Sequence, residues 1–353
     1  MAKSSPLMSL LGGRGHDAFD PEAWSLLFSE ARRAGLLARL AAILRLDEVG
    51  LPERLQKQVK ASLIEAAAFQ RDVLRELEHV QQALQGLGVP VLLLKGAAYV
   101  RLNLPAARGR IFSDIDIVVA KESLAQAEAS LMLGGWLTGK LDPYDQRYYR
   151  EWSHEVPPMT HRRRGTTIDL HHALVMPTCR IRVDSGKMIR EAVPVDGSAF
   201  WWRLQDEDMV LHAASHLMFN SEFERGLRDI WDIDLLFRDF ASRSASFPER
   251  LFERAREVGL GEVIREALRL ARALLGTPVP ENLLPGDAKM ATRLVARAVY
   301  SRHRQTRPAG QWLADMLLVS REMYLRLPNH LLLTHLAHKA SLGFTGTTPH
   351  KAI

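Results

Sequence analysis

Arg110-Ile-Phe-Ser-Asp-Ile-Asp-Ile-Val-Val119 is the stretch from which the fold is read. In a β-strand, alternate side chains share a face. Asp114 and Asp116 therefore point one way, while Ile115, Ile117 and Val119 point to the opposite, apolar face. Two carboxylates held side by side repel, and in a buried strand this costs free energy unless a cation or a proton compensates. A hard divalent cation suits two ionised carboxylates: Mg²⁺ takes oxygen ligands and binds through one or two carboxylates plus substrate phosphates. A lone Asp-x-Asp is more often a solvated pair at a strand edge. Branched aliphatics on both sides and a second acid-bearing strand downstream make this one more specific.

Upstream, Val89-Pro-Val-Leu-Leu-Leu94 is a short apolar run of the kind expected for a strand buried on both faces. Lys95-Gly96 ends it, and Ala97 to Asn103 reads as a short helix. Downstream, Ile115 to Ala120 forms a second strand, and Ser123 to Leu133 a helix closed by Gly134-Gly135. His154 to Thr160 and Thr166 to Val175 read as two strands around the turn Arg162-Arg-Arg-Gly165. The third acid, Asp169, sits in Thr167-Ile-Asp-Leu-His171, where a strand would carry valine or threonine. If that strand lies beside the first, Asp114, Asp116 and Asp169 form one metal-binding set. Three carboxylates hold two ions roughly 3.5 to 4 Å apart, the spacing used for in-line phosphoryl displacement. Asp169 would then orient the attacking hydroxyl or accept its proton.

Leu94-Lys95-Gly96-Ala97, Arg110 four residues before Asp114, Ser113-Asp-Ile-Asp-Ile-Val118 and Ile168-Asp-Leu-His171 together resemble the DNA polymerase β-like nucleotidyltransferase superfamily. They resemble in particular its bacterial uncharacterised nucleotidyltransferase family. The likeness covers roughly residues 20–240 and is densest from 92 to 172. It implies that Gly96 and Ala97 form the turn whose backbone amides approach the nucleotide phosphates, with Lys95, Arg110 and Ser113 beside them. The superfamily has Gly-Ser or Gly-Gly where this chain has Gly96-Ala97, so a serine contact to phosphate is missing and Lys95 and Arg110 are expected to supply charge. The implied activity is transfer of a nucleoside monophosphate from a nucleoside triphosphate to a hydroxyl-bearing acceptor, with release of pyrophosphate. Mg²⁺ or Mn²⁺ is the implied cofactor. The acceptor, whether small molecule, sugar or protein, is left open.

Outside this block the period is helical. Trp24, Leu27, Ala31, Leu36, Leu37, Leu40 and Ile43 recur at threes and fours, with Asp20-Pro21 as cap and first turn. A longer helix is expected from Pro52 to the glycines Gly86 and Gly88. Helices return over Asp206 to Phe219, Ile230 to Phe240, Leu251 to Leu275 and Trp312 to Leu327, and the Gly- and Thr-rich end is expected to be disordered. The fold class is therefore α+β, a small mixed β-sheet core flanked by helical regions at both ends. By sequence character the divisions fall at 1–88, 89–200 and 201–353.

The bulk properties are those of a globular chain: 353 residues, 47% hydrophobic and 25% charged. The single cysteine, Cys179, excludes an intramolecular disulfide and a cysteine-rich zinc site, which fits a reducing cytoplasm. No apolar run reaches the roughly 18 to 20 residues needed to cross a bilayer, so no membrane partner is expected. Met1 to Asp17 has no convincing signal-peptide core and reads as frayed sequence. The net charge of +6 is spread widely, and its one dense cluster, His161-Arg-Arg-Arg164, reads as a solvated turn, which disfavours nucleic acid as a partner.

His171 shares a face with Asp169, and His154 opens a strand, so both are candidates for substrate contact; His172 reads as structural. His212 and His216 lie four apart on a helix but lack the glutamate of a zinc-protease helix, and read as packing residues. Arg225, Arg228, Asp229, Asp232 and Asp234 are spaced for i, i+4 pairs such as Arg225–Asp229 and Arg228–Asp232. Because the resembling family carries the same cluster, Arg228 and Asp229 are kept as candidates for substrate or interdomain contact. Two function classes remain: the metal-dependent transferase, and a catalytically idle nucleotidyltransferase-like module that binds a partner protein in the manner of an antitoxin. A glycosidase is disfavoured, because its carboxyl groups stand about 5 Å or more apart.

Overall fold

The structure, a computed structural model, describes residues 4–13, 15, 19–220 and 223–345. Its contacts gather the chain into two compact units, neither contiguous. One contains residues 1–75, 98–112 and 206–319; the other contains 76–97, 113–205 and 320–353.

The second unit holds the sheet. Its strands are β1 (Val91–Leu93), β2 (Asp114–Val118), β3 (Trp136–Thr138), β4 (Met159–His161), β5 (Thr167–His171), β6 (Val193–Pro194) and β7 (Trp201–Arg203), in the order β3-β4-β5-β2-β1-β7-β6. The sheet is mixed, and with its flanking helices the fold is α+β as expected. β2 runs parallel to β5 and antiparallel to β1, whose other neighbour, β7, is parallel. The central strands are short and apolar because both faces are covered: Val91, Leu92, Leu93, Ile115, Ile117, Val118, Ile168 and Leu170 are all buried.

The crossover from β2 to β5 carries the helix Leu124–Gly134, one residue from its expected position and ended by Gly135 at φ +102. The turn between β4 and β5 also falls where expected, with Gly165 at φ +71. The preceding strand is shorter than expected, Met159–His161 rather than His154–Thr160. Pro157 and Pro158 have no N–H to give a ladder, and 154–156 pair with 170–173 only through single bonds. The arginine turn is partly structural. Arg164 donates to the buried Glu76 at 2.6 and 3.0 Å and lies over the Trp136 ring, while His161 Nδ1 accepts from the Arg163 and Arg164 amides.

The other unit is helical. Asp20 caps the helix Pro21–Arg33, which Gly35 at φ +67 separates from Leu37–Ile43. The expected helix Leu251 to Leu275 is two, Phe247–Glu257 and Gly261–Leu275, broken at Gly259 with φ +81. Residues 4–11 do not fray. Ser5 caps the helix Pro6–Leu11, Leu7 is 1% exposed, and the Leu7 amide donates to the buried Glu30. Glu30 also accepts from Ser301 and Thr306. Gly109, at φ +63, lies so close to the Ala38–Arg39 backbone that a Cβ there would stand 2.5 Å from it.

The helix Glu53–Leu84, expected from Pro52 to the glycines, ends in a 3-10 turn before Gly88. At the C-terminal end the helix Asn329–Thr345 occupies part of the stretch expected to be disordered, and residues 346–353 lie outside those described. Among the described residues no helix is long and apolar enough to cross a membrane.

Candidate active site

The parallel register of β2 and β5 sets Asp116 directly opposite Asp169, and Asp114 opposite Thr167. Strand alternation puts Asp114 on the same face as Asp116. All three acids thus lie on one face of two adjacent strands, above the buried Ile115 and Ile168 of the other face. Asp114 and Asp169 are half-buried, and Asp116 is buried.

Asp116 is held by Lys95 and His171. Its Oδ1 accepts from Lys95 Nζ at 2.9 Å and lies 3.1 Å from His171 Nε2. Burial opposes its ionisation, but the Lys95 ammonium and the His171 contact outweigh burial and hold the carboxyl well below the usual range. Lys95 gains in turn: burial lowers its pKa, and Asp116 more than restores it. Asp169 is the opposite case. Burial, then the carboxylates of Glu155, Asp116 and Asp114, push it well above the usual carboxylate range. Its Oδ1 is buried with no hydrogen-bond partner. An orphaned carboxylate oxygen facing a carboxylate that already gathers cationic donors fits a divalent cation by its chemistry.

Lys95 reaches Asp116 from an unusual backbone, φ +42, at the point where β1 gives way to the helix Lys95–Arg101. A non-glycine residue there costs about 1 kcal/mol, and such strain persists where the surroundings over-determine it. Gly96 and Ala97 follow and are both buried, and Ser113 is exposed.

Around His171, on the same face of β5 as Asp169, a second group assembles. Glu155 pairs with His171 across an isolated antiparallel bridge, and its Oε2 lies 3.3 Å from His171 Nδ1 and 3.8 Å from His154 Nε2. The rings of His154 and His171 are 5.2 Å apart. Sequence reasoning singled out both histidines and missed Glu155. The available signal was an acid directly after His154, within the stretch expected to be a strand.

Among the described residues, two groups bring three ligand atoms within 4.8 Å of one another: His154, Glu155 and His171, and Asp142, Asp145 and His338. The three aspartates are not such a group.

Arg110, Arg228 and Asp229 belong to the helical unit. Arg110, expected near phosphates, is 4% exposed there: its Nε donates to Asp232 Oδ2 at 2.8 Å, between the Tyr99 and Phe112 rings. Arg39 holds the other Asp232 oxygen at 2.7 Å, so Asp232 joins residues far from its own helix rather than the expected Arg228. Arg228 instead donates to its neighbour Asp229 at 3.0 Å, and Asp229 lies 3.7 Å from His216. His212 is buried, as a packing residue would be.

A mixed sheet with an Asp-x-Asp strand beside a strand that bears a third acid is the core expected of a nucleotidyltransferase. The family described as uncharacterised nucleotidyltransferase matches residues 20–276, beyond the 240 or so anticipated, and the chain belongs to it. No curated protein and no solved structure matches the chain.

Proposed function

We propose that the chain transfers a nucleoside monophosphate from a nucleoside triphosphate to a hydroxyl-bearing acceptor, with Asp114, Asp116 and Asp169 holding Mg²⁺ or Mn²⁺. The observation that carries this reading is the register: Asp116 faces Asp169 across a parallel strand pair, with Asp114 on the same face. Divalent ions held there would neutralise the triphosphate and acidify the attacking hydroxyl.

The chain's own residues have separate tasks. Asp116 is kept ionised by Lys95 and His171, ready to act as a ligand. Asp169, whose Oδ1 is buried without a hydrogen-bond partner, is the group suited to orient the acceptor hydroxyl or, ionised beside the cation, to take its proton. Lys95 lends positive charge to the phosphates, and Gly96 and Ala97, in the first turn of the helix Lys95–Arg101 rather than a separate turn, offer backbone amides. Arg110 is committed to Asp232, so Lys95 carries the charge role that the two were expected to share. His154, His171, Arg228 and Asp229 remain candidates for substrate contact, and the acceptor class is open. An idle binding module is not favoured, because a binder has no need of a buried, unpartnered carboxylate oxygen at Asp169.

The test is incubation with each labelled nucleoside triphosphate, Mg²⁺ or Mn²⁺ and a cell extract, following pyrophosphate and labelled product. Wild type is expected to label an acceptor, and an Asp114→Asn/Asp116→Asn variant to label none. Equal labelling by both would sink the proposal.

A further inference from the structure

We propose that His154, Glu155 and His171 form a second divalent-cation site of the zinc class, distinct in donor chemistry from the three aspartates. Two imidazoles and one carboxylate are a ligand set for a borderline first-row cation, whereas Mg²⁺ prefers oxygen throughout. One ligand atom from each residue lies within 4.8 Å of the other two.

The spacing suits a shared ion. With metal–ligand bonds of about 2.1 Å, the 3.3 Å between His171 Nδ1 and Glu155 Oε2 corresponds to an angle of about 104° at the ion. The 3.8 Å between His154 Nε2 and Glu155 Oε2 corresponds to about 130°. These two bracket the tetrahedral value, leaving a fourth position for water or substrate.

A second observation is independent of spacing. His171 is 3% exposed, and its Nδ1 is buried without a hydrogen-bond partner. Its Nε2 lies 3.1 Å from Asp116 Oδ1, an oxygen that also accepts from Lys95 and is therefore the acceptor of the His171 N–H. Donation from Nε2 leaves a lone pair on Nδ1, 3.3 Å from the Glu155 carboxylate oxygen. Two lone-pair atoms at that distance repel unless positive charge lies between them. Asp116–His171–ion is then the carboxylate–histidine–metal arrangement that fixes tautomer and ring orientation.

The backbone is already set for binding. Val156 N donates to Leu170 O at 3.0 Å, and His172 N to His154 O at 2.9 Å, which pins the ligand-bearing segments together. His154 and Glu155 side chains are 22% and 21% exposed, so an ion has a way in. The proposal stands whether or not the chain transfers nucleotides, since it rests on donor atoms and not on the reaction.

The test is titration of the metal-free, full-length protein with Co²⁺, a spectroscopic substitute for Zn²⁺. One equivalent is expected to give the intense visible absorption of a low-coordinate, nitrogen-ligated ion. Stoichiometric Zn²⁺ should abolish the band, and a large excess of Mg²⁺ should leave it. Glu155→Gln and His154→Ala should each weaken Co²⁺ binding at least tenfold, and Asp114→Asn should leave the band in place. Circular dichroism and melting of the metal-free variants separate lost ligands from lost fold, and His154→Gln replaces His154→Ala if the latter unfolds.

Absence of the band overturns the proposal. So does a band unchanged in both the Glu155 and His154 variants, or one lost only in Asp114→Asn. A His171 ring that nitrogen NMR shows protonated on both nitrogens, and unaltered by Zn²⁺, assigns the bridging charge to a proton and overturns it too. Nucleotide transfer enters none of these readouts, so failure here and failure of the transferase reading are told apart.

Discussion

Replacing Asp169 with asparagine should make the metal-free protein more stable while removing its use for the ion. Asp169 Oδ1 is a buried acceptor without a partner, and burial and three nearby carboxylates oppose its charge. An unsatisfied buried polar group costs about 1–3 kcal/mol. Asparagine fills nearly the same volume, carries no charge and can donate to the facing carboxylates. The gain expected at neutral pH is about 1–2 kcal/mol, toward the lower half of that range because asparagine keeps one acceptor. At roughly 2–4 °C per kcal/mol for a unit of 150–250 residues, melting in EDTA should rise by several degrees.

The pH dependence has a defined sign. A carboxyl with a raised folded pKa holds its proton more tightly when folded, so its penalty is absent below the ordinary value of about 3.9. The penalty grows as pH rises toward the raised folded value. The variant's advantage should therefore be small at pH 4 and larger at pH 8. Mg²⁺ or Mn²⁺ should reverse the order, since an ion at a hundred times its Kd adds about 2.7 kcal/mol to the wild type alone. A variant that melts below wild type in EDTA at pH 8 would refute the reasoning, because Asp169 would then be stabilising as a free carboxylate.

Lys95→Met removes the countercharge of the buried Asp116, and with the lysine side chain 18% exposed the cost at neutral pH should be about 1–3 kcal/mol. Because Asp116's folded pKa is depressed, that stabilisation is present above the ordinary carboxylate range and fades as pH falls, so the melting difference should narrow in acid. Asp232→Asn strips two buried guanidinium groups of their shared partner and should cost about 3–5 kcal/mol in urea unfolding. Gly109→Ala sets a Cβ 2.5 Å from the Ala38–Arg39 backbone at φ +63, and should lower melting by an amount equivalent to about 2 kcal/mol or more.

The features legible in the sequence are those governed by local period. Strand alternation alone aligned Asp114 and Asp116, and apolar runs marked the positions of β1, β2 and β5. Asp169 needed one further assumption, that its strand neighbours β2, and the parallel pairing satisfies it. The edge strands β3 and β6, and β7 beside the latter, were not read. Two or three residues, such as Trp136–Thr138 or Val193–Pro194, are too short to show a period and are defined by the neighbour they pair with. Local rules misdirect where a distant partner competes. Arg228 and Asp232 have helix-pair spacing, yet Asp232 binds Arg39 and Arg110, and the Arg110 partner is 122 residues away in the chain. Glu155 escaped for the same reason, since its meaning depends on the bridge to His171.

Glu30 gives the chain a timetable for its synthesis. Its partner Ser301 lies 271 residues further on. At about 5–20 residues per second, a ribosome needs roughly 15–50 s to travel from one to the other. Throughout that interval the Glu30 carboxylate lacks two of its eventual partners, Ser301 and Thr306. Because both units recruit segments beyond residue 205, neither can close while the chain is still half made. A nascent chain of this protein therefore carries two unfinished units for most of its translation, and a premature stop before residue 320 would leave both without their last segment or only one of them complete.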